Sequence, residues 1–194
     1  MYERIWKRAF DILGAVFLLV LACVPMLMVA VLIKIESVGP IFFKQLRVGR
    51  YSKPFYLYKF RSMRIDTPEV SSNHLNGHKY VTFIGRIMRK TSVDELPQLF
   101  NVLKGEMSFI GPRPVIVSEN EVVSERRNRR ADRCLPGISG WAQVNGRDRV
   151  TAFQKVVYDA EYALDINFRR DLKILFLTIW NVLFARGVVE EKIQ

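Results

Sequence analysis

The sequence predicts an α+β protein, mainly helical and membrane-associated, with short strands and an N-terminal apolar helix interrupted near Pro25. Three observations predict it. The run Ile12–Ile33 carries no charge and meets the length of about 20 residues that a bilayer's hydrocarbon core requires. Between Ile41 and Phe60, β-branched and aromatic residues alternate with Gly39-Pro40, Gly49 and Pro54, the pattern of short strands joined by turns. Near the C-terminus, Ile174–Ala185 is apolar but too short to span, so it suits a helix lying in the membrane interface or one buried in a core.

The N-terminal segment comes first in the chain and carries the strongest signal. A secretory signal peptide has a shorter apolar region of about 7–15 residues and a small-residue cleavage site, and neither pattern is present, so the segment is expected to be retained. Arg4, Lys7 and Arg8 precede it, and Lys34, Lys44, Arg47, Arg50 and Lys53 follow it. Lysine and arginine collect on cytoplasmic flanks, so this symmetry suits a segment that enters the bilayer and returns to the same face. Pro25 supplies a point of return, because it lacks an N–H and its ring crowds the preceding turn. A kinked single-pass helix suits the same proline equally well.

Beyond the strand region, residues 66–78 are polar and read as a surface loop, and Val122–Arg133 reads as a helix whose basic face is solvated or rests on anionic headgroups. The chain holds 30 Lys and Arg against 19 Asp and Glu, a net charge of +11, which points to partners bearing phosphate: nucleic acid, anionic lipid, or nucleotide and lipid phosphates. Cys23 and Cys134 sit in unlike surroundings, which excludes a disulfide framework and fits a reducing compartment. His74 and His78 are the only histidines. A histidine-rich transition-metal site is therefore excluded, and a catalytic metal would be a hard cation on carboxylate and phosphate oxygens.

The residues able to do chemistry concentrate in Arg89–Gln98, where Asp94 and Glu95 follow two cations and two hydroxyls. Ser92-Val-Asp-Glu95 matches a helix capping box, although Pro97 would interrupt the helix it begins. The same carboxylates, kept ionised by neighbouring cations, could instead attack phosphorus and hold a divalent ion. Downstream, Gly111-Pro-Arg-Pro114 is a stiff turn presenting Arg113, and the glycine-punctuated loop from Pro136 ends at Arg147. Arginines on such loops offer planar donors for phosphate, or are ordinary exposed side chains on turns.

Four segments together resemble a known family: Lys7-Arg-Ala-Phe-Asp11, Tyr58-Lys-Phe-Arg-Ser-Met63, the long run from Asp94 to Pro114, and the loop ending Asn145-Gly-Arg147. They are similar, over nearly the whole chain, to the monotopic phosphoglycosyl transferases, the bacterial sugar transferases, in their minimal catalytic form. The resemblance implies a re-entrant helix-break-helix over residues 1–36 and a catalytic domain with interfacial helices over 37–194 at the cytoplasmic face of the bacterial membrane. Family members commonly carry Ser-Pro at the break; Val24-Pro25 here lacks the hydroxyl.

The same resemblance implies that Asp94 is the nucleophile and Glu95 its Mg²⁺-associated partner, with Asp94 also near the metal. Lys59, Arg89, Arg113 and Arg147 are then the phosphate-binding side chains. A sugar 1-phosphate would pass from a UDP-sugar to polyprenyl phosphate, releasing UMP, through an aspartyl-phosphosugar. Membrane lipid and downstream glycosyltransferases are candidate partners, and no nucleic acid is expected. Similarity to capsule-type members favours an N-acetylated deoxysugar, with galactose or glucose as alternatives. The competing reading is a membrane-tethered basic protein that binds phosphate or nucleic acid without turnover. It leaves the acidic pair without a role, and the basic residues lack the aromatic interleaving of a single-strand surface.

Overall fold

The computed structural model describes residues 2–67, 80–146 and 150–184. A π-helical turn, Tyr2–Trp6, leads into α1, Lys7–Glu36. At about 1.5 Å per residue, α1 is roughly 45 Å long, more than a hydrocarbon core of about 30 Å requires. It is one helix: Pro25 lies inside it. The expected division into two helices at Pro25 is not observed, since a proline withholds a single N–H and the surrounding apolar turns continue the ladder.

One narrow stripe of α1, comprising Lys7, Asp11, Ala15, Met26 and Ile33, is buried against the rest of the protein. These spacings recur on one helical face. The remaining circumference exposes Leu13, Phe17, Val20, Leu21, Val24 and Leu27, and only 11% of the helix's most apolar window is buried. So large an exposed apolar surface needs lipid or protein to cover it.

Both ends of α1 are tied to the same globular body. At its start, Lys7 Nζ pairs with Asp171 at 2.6 Å, and Arg8 donates to the Val102 and Leu103 carbonyls. Asp11 accepts from Ser108 Oγ and the Phe109 N–H, each at 3.0 Å. At its end, Glu36 accepts from the Phe83 and Ile84 N–H groups, and Arg61 donates to the Ser37 and Val38 carbonyls.

The expected strand region forms an antiparallel hairpin of β1, Phe42–Val48, and β2, Pro54–Phe60, in register from Phe42↔Phe60 to Val48↔Pro54. Helix α2, Phe83–Thr91, is capped by the Thr82 hydroxyl and packs its Gly85 against the Ser62 carbonyl. Short helix α3, Gln98–Lys104, is followed by β3, Ser108–Ile110, and β4, Val115–Ile116. Strand β4 pairs with β1, giving the order β2-β1-β4. Helix α4, Asn120–Asn128, precedes β5, Gly137–Ser139, which runs parallel to β3. Helices α5, Trp141–Val144, α6, Ala152–Leu164, and α7, Phe168–Leu183, follow as the last elements among the described residues.

Two apolar clusters seat α1: Ala15 with Phe55, Leu57, Leu99, Val102 and Met107, then Met26 and Ile33 with Phe60 and Met88. Helix α7 buries Ile174 and turns Leu172, Leu175, Phe176, Ile179 and Trp180 outward. Its first residue, Phe168, meets Phe10 of α1 with ring centroids 5.9 Å apart, so the exposed apolar faces of the two helices adjoin. The polar stretch 66–78 falls largely outside the described residues.

Candidate active site

The acidic pair sits in a single 3₁₀ turn, Val93–Glu95, between α2 and α3. Ser92 closes α2 in the left-handed region at φ 58° and makes no side-chain cap bond, so the capping box read from the sequence does not form. The helix-initiating hydroxyls are Thr82 on α2 and Thr151 on α6, the latter in a true capping box with Gln154. The 3₁₀ turn sets adjacent carboxylates side by side, with Asp94 buried and Glu95 half-buried.

Cations converge on this turn from three elements. Lys59 of β2 reaches Glu95 Oε1 at 2.7 Å, and Arg113, between β3 and β4, reaches the same oxygen at 3.2 Å. Arg89, in the last turn of α2, donates to Ser62 Oγ at 3.0 Å and lies close enough to Asp94 to favour its ionised form. The structure thus brings together Lys59, Arg89, Asp94, Glu95 and Arg113. Arg147 falls outside the described residues, and Pro25 is on α1.

Position gives the two carboxyls opposite characters. Burial pushes Asp94 above its ordinary range; Lys59 and Arg89 oppose that, and the charge on Glu95 adds to it. Burial also opposes ionisation of Glu95, but Arg113 and Lys59 prevail and hold its carboxyl down at about 2. One carboxylate is firmly charged; its neighbour is poised closer to neutrality.

Among the described residues there is no group of three or more histidine, cysteine or acidic side chains able to hold a metal. The acidic pair nevertheless fits a hard cation. Both cations on Glu95 use Oε1, and no side chain among the described residues donates to Asp94. Mg²⁺ characteristically takes one or two carboxylates and completes its shell with phosphate oxygens and water.

Four contributors escaped sequence reasoning. Arg47 of β1 is half-buried and donates to Gln45 and to the Pro114 carbonyl; burial, reinforced by the charge on Arg113, lowers its pKa. Asn101 is fully buried, accepts from the Tyr58 N–H and donates to the Tyr56 carbonyl, fastening the strand that carries Lys59 to the helix that follows the acidic pair. Arg126, expected on a solvated basic face, is buried and paired with Asp159 at 2.6 Å, because α6 packs against that side of α4. Asn101 lay within the motif run and Arg126 within the basic run. Arg47 was read only as a basic flank of the apolar run, and nothing in the sequence pattern marked Asp159.

The fold thus sets three cations around an acidic pair, in a chain whose first helix is long and apolar enough to cross a membrane. Residues 2–185 match the family described as bacterial sugar transferase, and the chain belongs to it. It is 43% identical over 184 residues to the uncharacterized sugar transferase EpsL of Bacillus subtilis, covering 95% of this chain and 90% of that protein. An undecaprenyl-phosphate glucose phosphotransferase of Komagataeibacter xylinus is 42% identical over 96% of this chain but only 37% of its own length. The UDP-N-acetylgalactosamine-undecaprenyl-phosphate N-acetylgalactosaminephosphotransferase of Aeromonas hydrophila is 40% identical over 93% of this chain and 44% of its own length. The chain thus spans less than half of the latter two relatives.

Proposed function

We propose that this protein transfers a sugar 1-phosphate from a UDP-sugar to undecaprenyl phosphate at the cytoplasmic membrane face, the first membrane step in building a bacterial polysaccharide or glycan. The observation that carries the reading is the acidic pair itself: buried Asp94 beside Glu95, with Lys59 and Arg113 converging on the latter. The names of the relatives supply the substrate class, a nucleotide sugar and undecaprenyl phosphate.

In the first displacement an Asp94 oxygen attacks the phosphorus that bears the sugar. The phosphoanhydride bond breaks, UMP leaves with the bonding electrons, and an aspartyl-phosphosugar forms. In the second, a phosphate oxygen of the lipid attacks the same phosphorus and the Asp94 carboxylate departs. One phosphoanhydride replaces another, so no ATP is consumed. Lys59 and Arg113 then offset charge on the diphosphate and departing UMP, with Arg89 and Arg147 assigned the same work. Glu95, with Asp94, would hold Mg²⁺, whose role is to neutralise developing phosphate charge. Because Asp94 is pushed up by burial, loss of the nucleophile on acidification begins above the ordinary aspartate range, while Glu95 keeps its charge.

The same proposal makes α1 re-entrant in the sense that both its ends lie on one membrane face, although the helix runs unbroken through Pro25. Its two ends are tied to one body, its outer face is apolar, and basic residues flank both ends. The outward face of α7 would lie in the interface beside it. The decisive assay incubates purified protein with a panel of UDP-sugars, Mg²⁺ and undecaprenyl phosphate and measures UMP. Lipid-dependent UMP release with one sugar supports the proposal and names the donor; saturable binding with no release supports a binding protein instead.

A further inference from the structure

The turn Gly111–Pro114 that presents Arg113 is held in an unusual way. Pro112 and Pro114 have no N–H, so the turn is fastened chiefly through its carbonyls. Three successive ones are occupied from three directions: Pro112 O by the Gly137 N–H at 2.9 Å, Arg113 O by Arg126 Nη2 at 3.0 Å, and Pro114 O by Arg47 Nη1 at 3.2 Å. The Arg113 side chain, although its Nη2 reaches Glu95, stays 52% exposed and open to a ligand.

The middle fastening is the informative one. Arg126 of α4 gives both Nε, at 2.9 Å, and Nη2, at 2.6 Å, to Asp159 Oδ2 of α6. Asp159 is 2% exposed and Arg126 8%. A buried ion pair is an inefficient way to hold two helices together, since apolar residues of similar volume often serve stability as well or better. An apolar pair could not donate to the Arg113 carbonyl. Asp159 instead orients the planar guanidinium so that one edge meets the carboxylate while Nη2 also reaches the turn.

We infer that Arg126 and Asp159 form a positioning pair for Arg113, and that through it they set the enzyme's affinity for the diphosphate of its donor. The inference rests on the reading of Arg113 as a diphosphate-binding side chain. Arg126 and Asp159 touch neither substrate nor metal; they act by fixing the backbone from which Arg113 extends.

The test uses the full chain in detergent micelles or nanodiscs, with UDP-sugar kinetics and thermal unfolding measured on the same samples. The double substitution Arg126→Met/Asp159→Leu removes both buried charges together. The expected result is a midpoint of unfolding close to wild type, a KM for UDP-sugar raised ~10-fold, and a kcat changed far less. In an Arg113→Ala background the double substitution is expected to raise KM no further, since the group it positions is gone. Arg126→Lys, which keeps the charge opposite Asp159 but not the fork, provides a second route if the double variant does not fold, and is expected to raise KM in the same direction. Wild-type KM in the folded variants, with Arg113→Ala impaired, overturns the positioning role alone. A KM effect of equal size with and without Arg113 overturns it too. Wild-type KM in Arg113→Ala overturns the reading of Arg113 and the inference with it.

Discussion

Removing the cation nearest the acidic pair, by Lys59→Met, tests the electrostatics of the site most fully. Lys59 sits 2.7 Å from Glu95, and both side chains are about one-fifth exposed. The fall of the Glu95 carboxyl from an ordinary 4.5 to about 2, at about 1.4 kcal/mol per pH unit, sets a ceiling of about 3 kcal/mol on what its surroundings contribute to folding at neutral pH. Arg113 heads the influences that lower this carboxyl and shares the contribution with Lys59, although it is half-exposed and partly screened by water. Lysine 59 therefore accounts for roughly 1–2 kcal/mol, an apparent melting temperature lower by about 2–8 °C for a chain of this size. The sign fixes the pH window. A carboxyl depressed in the folded state stabilises above its unfolded value and loses that stabilisation as pH falls from 4.5 towards 2. The gap between variant and wild type should thus be full at pH 7 and should shrink below pH 4.5. Lys59 also favours ionised Asp94, so without it that carboxyl rises further and, if Asp94 is the nucleophile as proposed, the acid limb of kcat/KM moves to higher pH. Differential scanning fluorimetry in detergent at several pH values, with UMP release over the same range, measures both. An unmoved acid limb together with a pH-independent stability gap would mean that Lys59 sets the charge of neither carboxyl.

Three further outcomes follow from the fold. Gly85→Ala would set a Cβ 2.0 Å from the Ser62 carbonyl oxygen, forcing α2 and Arg89 away from the site; a loss of about 1–3 kcal/mol and a drop in turnover are expected from unfolding and rate measurements. Glu36→Ala removes the carboxylate that accepts from the first N–H groups of α2, costing about 1 kcal/mol and speeding amide exchange at Phe83 and Ile84 with no such change in α6. In a Cys23→Ser background, Glu3→Cys and Val38→Cys should both resist an impermeant maleimide in intact spheroplasts and react after permeabilisation; labelling of only one from outside contradicts a re-entrant α1.

Much of the fold was legible because it rests on local pattern. The apolar run announced α1, and alternating β-branched and aromatic residues between turn signals announced the β1–β2 hairpin. What escaped the sequence was set by long-range packing. Pro25 reads locally as a break, yet the helix continues through it. Ser92 reads as a cap, yet its left-handed backbone ends α2 instead. Arg126 sits among exposed arginines in the chain but is buried because α6, some thirty residues later, brings Asp159 onto it. The acidic pair, Arg89 and Arg113 stood out by residue chemistry and Lys59 by motif resemblance; that Lys59 and Arg113 share one oxygen of Glu95 was not encoded in any local spacing.

Whether Asp94 carries the phosphosugar, as proposed, is decided by a quenched reaction. Purified protein is mixed with Mg²⁺ and UDP-sugar labelled in the sugar, without lipid acceptor, then denatured and separated from free label. Asp94→Asn keeps the shape and packing of a buried side chain while removing its nucleophilic oxygen. Label is expected on denatured wild-type protein, chased off by undecaprenyl phosphate, and none on folded Asp94→Asn, which also fails to turn over. Label retained by Asp94→Asn, or an unlabelled wild-type enzyme that turns over by a sequential kinetic pattern, would contradict the proposal.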